Sequence, residues 1–404
     1  MAEYELGIEV TEYMLAVRDT VHRFASEVMR PAGVELDRMV DPEEVIAETS
    51  PLWAALEKYR ELGLVGQQEA YDPDLSPAQR VLLHCMVLEE TCRGDVGLSI
   101  TLSLFNMAPM VARNFGNEEA AKFFSERDEI CCLALTEPNH GSDHCAFTEP
   151  TFFDSKVRTD CRISHDGDDF IINGQKSSWV SAGTLAGAII LMTTFEEGDQ
   201  GIANGALFVV PSDLPGISKG KPLDKMGQRS LNQGEIFFDN VHVPRKFLMA
   251  EGADVYPIVW EFFLKDANLA MGMQFIGVAR AAYEMALEYA KERVQGGVPI
   301  IQHQNVKLRL FDMYTRLETA RSHVRRLAVN QATNENGISY QEAASAKVYA
   351  TQAAFDIADA AIQTFGGYGL CREYPIEKVF RDARASMIQD GENSMLKIMA
   401  ASRL

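Results

Sequence analysis

The sequence predicts an α+β protein in which helices, then strands, then helices follow one another along the chain. Apolar residues recur at three- and four-residue steps up to about Arg127. The next hundred residues hold β-branched segments separated by turns, and long helical periodicity returns after Pro244. The chain has 404 residues, of which 47% are hydrophobic, enough for two or three domains with a large core.

The first region predicts helices. Thr11 is a plausible N-cap because its hydroxyl can accept a hydrogen bond from the first helical turn. An apolar face follows it, formed by Met14, Val17, Val21, Phe24 and Val28. The same spacing recurs at Val81, Cys85, Leu88 and Cys92.

The middle region predicts strands. Cys131 to Leu135 is a short apolar run, and "CRISHDGDDFIINGQ" is typical of a hairpin that turns at Asp166-Gly167. Further strands are indicated by "AGAIILMTTF", "GALFVVP" and "GEIFFDNVHVP".

The last region predicts an antiparallel helical bundle. Apolar residues step by fours and threes from Val306 to Leu327, and segments 256–293 and 340–364 are comparably long. The predicted domains are residues 1–128, 129–246 and 247–404.

The composition excludes some functions. A formal net charge of -20 and a pI near 4.9 argue against nucleic-acid partners, because phosphate binding needs a positive surface. Seven scattered cysteines fit a reducing cytoplasm better than a disulfide scaffold. The acidic N-terminus is unlike a signal peptide, and no apolar run is long enough for a membrane span, so we expect a cytoplasmic protein.

Four segments are candidates for binding. "LALTEPNHGSD" offers backbone amides with Thr136 and Ser142, although, taken alone, an ordinary loop is the better interpretation. "INGQKSSWVSAG" offers Trp179 beside serines for a flat ligand, or a half-buried strand tryptophan. "RVQGGVPIIQHQ" offers Arg293 for a phosphate, or a plain helix connection. Gly366, Gly367 and Gly369 expose backbone after a helix, outside any GxGxxG dinucleotide pattern.

The residues exclude two other kinds of site. His140, His144 and Cys145 lie in one predicted loop without a second spaced cluster, so we expect no metal site. A Ser-His-Asp order and a phosphate-binding GK[ST] loop are both absent from the sequence.

Taken in order, the segments resemble the acyl-CoA dehydrogenase family. The similarity runs from about Thr11 to the C-terminus and is densest at four strings: "LTEPNHGSD", "KMGQRSLNQGEIFFDNVHVP", "QHQNVKLRLFDM" and "FGGYGLCREYPIEKVFRDAR". The resemblance implies an N-terminal helical domain, a middle antiparallel β-barrel-like domain and a C-terminal four-helix bundle. It also implies a homotetramer that binds FAD and an acyl-CoA.

The resemblance assigns roles residue by residue. It implies FAD contacts from Leu135, Thr136, Ser142, Trp179, Ser181, Arg293, Gln304, Gln363, Gly366, Gly367 and Glu392. Of these, the residues that would reach the FAD of a partner subunit are Arg293, Gln304, Gln363, Gly366 and Gly367. It implies substrate contacts from Ser99, Ser142, Asp390 and Gly391. Lys225 and Arg229 also match a family motif and are interpreted as structural ion-pair residues.

The chemistry that this family performs implies a catalytic base. Asp390, at the position of the usual glutamate, would take the α-proton of the thioester, the β-carbon would give hydride to flavin N5, and electrons would pass to an electron-transfer flavoprotein. The backbone N–H of the base residue and a flavin ribityl hydroxyl would polarise the thioester oxygen.

Asp390 is also the main departure from the family pattern. Aspartate is one methylene shorter than glutamate, and a displacement of about 1 Å can cost on the order of a hundredfold in rate. The base site that some relatives use instead falls on Ala267, beside Asp266, and the remaining candidates are Glu392 and Asp95. Gly296 stands where many relatives have phenylalanine, and the spacing from Lys176 to Trp179 is one residue longer than usual.

These departures leave alternatives open. The chain could act on a cyclic CoA thioester with a different carboxylate base, since family members with unusual bases act on ring-bearing thioesters. It could be an oxygen-using flavoenzyme of the nitroalkane-oxidase kind. A third hypothesis is a catalytically silent subunit that has lost its base, although Asp390 is still ionisable.

Overall fold

The computed structural model describes residues 3–63 and 71–404, and it begins with a helical region. A short hairpin of β1 (Glu3–Glu5) and β2 (Ile8–Val10) precedes the helices. The helices of this region are α1 (Glu12–Phe24), α2 (Arg30–Arg38), α3 (Pro51–Glu61), α4 (Pro77–Gly94), α5 (Val96–Ser103), α6 (Met107–Asn114) and α7 (Glu118–Ser125). Helical structure therefore ends close to the predicted position.

The predicted start of α1 is confirmed. The Thr11 hydroxyl accepts a hydrogen bond from the Met14 backbone N–H at 3.2 Å, which satisfies one of the free donors of the first turn. Met14, Val21 and Phe24 are buried, so the apolar spacing gave the correct helix face.

The middle region forms one eight-stranded sheet. Its strands are β3 (Cys131–Ala134), β4 (Arg162–Asp166), β5 (Asp169–Ser181), β6 (Ala188–Phe195), β7 (Gly205–Pro211), β8 (Ile217–Pro222), β9 (Gln233–Val243) and β10 (Leu248–Glu251). The order is β10-β7-β6-β4-β5-β9-β8, with β3 paired to β6. Most strand pairs are antiparallel as expected, but β3 and β4 run parallel to β6, so the sheet is mixed. No pairing among the described strands joins the two ends of the sheet into a closed barrel.

The predicted hairpin forms with its turn one residue later than expected. Asp166 pairs with Asp169 across β4 and β5, so the turn residues are Gly167 and Asp168. Gly167 has a φ of +63°, the conformation for which glycine has no steric penalty. Asp166 belongs to the strand because its partner completes the ladder.

The last region is the predicted bundle. Its helices are α8 (Tyr256–Glu292), α9 (Gln304–Thr333), α10 (Tyr340–Phe365), α11 (Ile376–Ser386) and α12 (Asn393–Ala401). A small hairpin of β11 (Val294–Gln295) and β12 (Val298–Pro299) joins α8 to α9. Val306, Leu310, Met313 and Leu317 are buried at the spacing that predicted them. No helix in residues 3–63 and 71–404 is both long and apolar enough to cross a membrane.

Buried charges connect the helical region to the bundle. Glu89 on α4 accepts from Arg280 on α8 and from Arg321 and Arg325 on α9, at 2.8–3.2 Å. These three guanidinium groups outweigh burial and lower the pKa of Glu89 to about 2. Glu89 is therefore a structural residue that ties α4 to α8 and α9.

Candidate active site

Asp390 lies in the loop between α11 and α12, in a recess of the protein. Its side chain is accessible to solvent, yet protein surrounds it closely enough that burial raises the pKa of its carboxyl group, and nearby Lys347 opposes that rise. Its backbone has a φ of +50°, and Gly391 follows at +91°. A non-glycine residue in this left-handed region is uncommon and often marks a functional site. Within the described residues, the carboxylate accepts no hydrogen bond, so it is free to act on a ligand.

Side chains from three other elements hold the loop in place. The Asn268 amide on α8 lies 3.4 Å from the Asp390 carbonyl oxygen. Gln228, in the loop between β8 and β9, exchanges two amide hydrogen bonds of 2.8 Å with Gln389. Lys347 on α10 donates to the Gly391 carbonyl at 2.7 Å. The position of Asp390 is therefore set by the sheet and the bundle together.

A buried ion pair anchors the loop that follows β3. The Lys176 ammonium on β5 contacts Glu137 at 2.5 Å and also donates to the carbonyl oxygens of Leu135 and Met192. The Thr136 carbonyl accepts from the Ser177 N–H at 2.9 Å. Both lysine and glutamate are fully buried, so each depends on the other for its charge compensation. Leu135 and Thr136, both half-buried, are thereby fixed beside β5.

Trp179 and Ser181 lie near the end of β5, where the strand bulges. Lys176 pairs with Ile236 and Val180 pairs with Gly234, so three residues of β5 face one of β9. The unusual Lys176-to-Trp179 spacing noted in the sequence falls in this bulge. The Trp179 side chain is 59% exposed, and the Ser181 hydroxyl accepts from the Gln233 amide at 3.2 Å.

Ser142 connects the two loops. Its hydroxyl accepts a hydrogen bond from the Glu392 N–H at 3.3 Å. The Glu392 carboxylate caps α12 by accepting from the N–H groups of Ser394 and Met395, which lowers its pKa despite partial burial. The Glu392 carboxylate is thus occupied as a helix cap, whereas the Asp390 carboxylate accepts no hydrogen bond within the described residues.

Two further carboxylates were candidate bases. Asp95 caps α5 and is buried, and both of its carboxylate oxygens are engaged, since they accept from the Leu98 N–H, the Ser230 hydroxyl and the Lys378 ammonium. Asp266 on α8 is exposed, and desolvation by the surrounding protein raises its pKa, while Ala267 beside it is half-buried. Asp266 therefore remains an alternative carboxylate.

The remaining predicted FAD contacts lie at the far end of the bundle. Arg293, Gln304, Gln363, Gly366 and Gly367 are all exposed. Arg293 stacks over the Tyr368 ring at 5.4 Å, which places the end of α8 beside the end of α10. A Cβ built on Gly366 or Gly367 meets nothing within 4 Å, so this backbone is open to a ligand.

This far end is distant from Asp390. Asn268 contacts the Asp390 loop, and Arg293 lies 25 residues farther along the same helix, roughly 37 Å at about 1.5 Å per residue. The two groups of predicted residues therefore form separate surfaces of one chain.

Ser99, Arg229 and Lys225 have well-defined hydrogen-bond partners in the structure. Ser99 is buried on α5, and its hydroxyl is engaged with Thr91 at 2.8 Å inside the helical region, so its role in substrate binding is still a prediction. Arg229 does form an ion pair, with Asp224. Lys225, however, makes no ion pair among the described residues and donates instead to the Leu231 carbonyl and the Gln233 amide oxygen. The prediction that Lys225 is an ion-pair residue was therefore wrong.

Sequence reasoning missed the residues that support Asp390. Lys347 had a detectable signal, since a lone lysine at a buried position of the alanine-rich "AASAKVYATQAA" helix requires a polar partner. Asn268 and Gln228 had no such signal, because polar residues at their positions are compatible with an ordinary surface.

Comparison with known proteins decides the family. Models of the acyl-CoA dehydrogenase N-terminal, middle and C-terminal domains match residues 11–126, 132–241 and 259–404. The chain belongs to the acyl-CoA dehydrogenase family. It is therefore an oxidoreductase acting on the CH–CH bond of acyl-CoA, in a family whose cofactor is FAD.

Similar proteins span the whole chain. Benzylmalonyl-CoA dehydrogenase of Aromatoleum aromaticum is 30% identical over 99% of this chain and 100% of its own. The mitochondrial short-chain specific acyl-CoA dehydrogenase of Rattus norvegicus is 29% identical over 98% and 91%. A chain in the structure of the electron transferring flavoprotein of Acidaminococcus fermentans has a TM-score of 0.82 at 26% identity, over 99% of both chains.

The residues present fit an FAD molecule. An exposed indole face at Trp179, with the Ser181 hydroxyl two residues on, suits a planar heteroaromatic ring. An exposed arginine near open glycine backbone suits the phosphates and the adenine end.

Proposed function

We propose that this chain oxidises an acyl-CoA thioester to the α,β-unsaturated thioester with Asp390 as the catalytic base. The observation that carries the proposal is the unpartnered, solvent-accessible Asp390 carboxylate, held in a recess between the sheet and the bundle. Bound FAD would supply the redox chemistry, as the acceptor of the hydride that leaves the β-carbon.

The protein's own residues prepare the proton transfer. Burial raises the pKa of Asp390, which makes its carboxylate a stronger base than a fully hydrated aspartate. The backbone is left-handed at both Asp390 and Gly391, and we propose that the N–H of Asp390 donates to the thioester oxygen of the bound substrate. Leu135, Thr136 and Trp179 would hold the flavin, and Ser142 would lie between the flavin and the Asp390 loop.

An anaerobic titration tests this function. The purified holoprotein is mixed with straight-chain, branched and alicyclic acyl-CoAs, and loss of flavin absorbance is followed. We expect at least one thioester to bleach the flavin at once. Absence of bleaching with every thioester, in protein whose flavin dithionite still reduces, would contradict the proposal.

We further propose that the enzyme is a homotetramer in which one subunit completes its partner's FAD site. Arg293 and Gly366 lie roughly 37 Å along the bundle from the Asp390 loop, too far to serve the same flavin ring from one chain. Leu308 and Phe311 form an exposed apolar stripe on α9, at 67% and 66% exposure, that a second copy would cover. Sedimentation analysis tests the assembly, and a monomer that retains stoichiometric FAD would contradict it.

The acceptor is proposed to be an electron-transfer flavoprotein. The similarity to a chain in the electron transferring flavoprotein structure of Acidaminococcus fermentans supports this acceptor. We expect the reduced flavin to persist in air and to be reoxidised quickly by such a flavoprotein. Rapid reoxidation by oxygen alone would favour the oxidase alternative.

All seven cysteines are free thiols, six of them buried, which supports the expected cytoplasmic location.

A ring-bearing thioester is a second candidate substrate. The relative from Aromatoleum aromaticum is a benzylmalonyl-CoA dehydrogenase, similar over its full length. Asp266 offers a further carboxylate with a raised pKa on α8. Faster bleaching by alicyclic or aryl-substituted thioesters than by butyryl-CoA would favour this substrate class, and the reverse order would exclude it.

A further inference from the structure

An unusual buried ammonium group lies beneath the Asp390 loop. Lys347 on α10 is fully buried, and its Nζ donates to the Gly391 carbonyl and to the Asn393 side-chain oxygen, each at 2.7 Å. No carboxylate of the described residues lies within 4.0 Å of this Nζ. The two other buried lysines in the described ranges, Lys176 and Lys378, each contact a carboxylate directly. An unpaired buried cation is costly, so its retention calls for a reason.

The charged and titratable groups around Lys347 come from two loops. Asp390 is the strongest electrostatic partner, followed by Glu392 on the same loop and the buried Cys145 thiol on the loop after β3. Burial lowers the pKa of Lys347 to about 8, while Asp390 favours its charged form. The interaction is reciprocal, so Lys347 favours the charged form of Asp390.

We propose that Lys347 is a positioning residue for the dehydrogenation: its ammonium holds the Asp390 loop and keeps Asp390 in the carboxylate form. This inference rests on the function proposed above. A bound acyl chain would exclude water from the recess and make the charged base less stable. A cation bonded to the loop backbone offsets that loss without occupying the carboxylate oxygens, which a direct ion pair would do.

The other side chains that hold the Asp390 loop carry no charge. Asn268 and Gln228 also hold the loop, and Thr351, one turn along α10, contacts Asn393 at 3.1 Å. All three are neutral. Lys347 is therefore the anchor whose replacement changes the electrostatics of the base as well as its support.

The experiment measures the pH dependence of flavin reduction in holoenzyme variants. Lys347→Gln keeps a donor but removes the charge, Lys347→Met removes both, and Lys347→Arg retains the charge. In the Gln and Met variants we expect the acidic limb of the pH–rate profile for flavin reduction to move to higher pH by about one unit. The reason is that a nearby positive charge lowers a carboxyl pKa by about one to three units, and these variants remove that charge. Lys347→Arg should restore most of the shift. Thr351→Val is the matched control and should leave the limb in place.

Two outcomes would overturn the inference. The acidic limb of the pH–rate profile of Lys347→Gln could superimpose on that of the wild type, or the limb of Thr351→Val could shift as far as that of Lys347→Gln. If Lys347→Met does not fold, the Gln variant alone decides. If the wild type reduces no flavin with any thioester, the proposed function fails, and the Lys347 interaction is then measured separately. The infrared carboxyl band that is lost in Asp390→Asn reports the ionisation of Asp390, and its midpoint should rise in Lys347→Gln.

Discussion

Replacing Asp390 by asparagine isolates the chemical role of its carboxylate. Within the described residues the side chain accepts no hydrogen bond, and the bonds that hold the loop use the Asp390 and Gly391 carbonyl oxygens and the Gln389 side chain. Asparagine preserves the shape and all of these contacts. Because burial raises the pKa of Asp390, its charge costs stability in the folded state, so Asp390→Asn should unfold at the same temperature as the wild type or slightly higher.

The expected loss is therefore in rate alone. Loss of a general base costs about 10²- to 10⁴-fold, or roughly 3 to 5 kcal/mol of barrier. The assay is anaerobic stopped-flow reduction of the flavin by the best thioester, at matched FAD occupancy. Asp390→Glu keeps a base displaced by about 1 Å and should lose at most about a hundredfold. A rate for Asp390→Asn within about threefold of the wild type would refute the assignment, and Asp266→Asn would be the next variant.

Three other predictions concern the supporting structure. Lys176→Met leaves the Glu137 carboxylate buried without its partner and should cost about 3 to 5 kcal/mol in denaturant unfolding, with weaker FAD retention; a loss below about 1 kcal/mol would contradict this. Because the pKa of Glu89 is lowered to about 2, its ionisation should contribute about 3 kcal/mol to the free energy of unfolding above pH 4.5, and this contribution should vanish as the pH falls through about 2. The stability of Glu89→Gln, measured by acid unfolding, should therefore depend less on pH than that of the wild type. Ser339→Ala removes the capping box of α10 and should lower stability by about 0.5 to 2 kcal/mol, whereas Ser339→Gly should lose less.

Local patterns predicted most of the fold because the forces that set it act over a few residues. The Thr11 cap, the buried face of α9 and the limits of α8 and α10 follow from spacing and end residues. The hairpin turn was displaced by one residue because both Asp166-Gly167 and Gly167-Asp168 satisfy turn preferences, and the strand ladder selects between them. The parallel pairing of β3 and β4 with β6 had no local signal, since register between distant strands is a tertiary property.

The site divides in the same way. The sequence by itself determined the family motifs, the position of Asp390 and the absence of a base at Ala267, because residue identity and spacing are written in the chain. The tertiary structure decided that Glu392 is a helix cap and that both carboxylate oxygens of Asp95 are engaged in hydrogen bonds. It also decided what surrounds Asp390: Asn268, Gln228 and Lys347 come from segments 43 to 162 residues away. A pKa depends on which charges and how much water lie within a few ångströms, and only folding sets those distances.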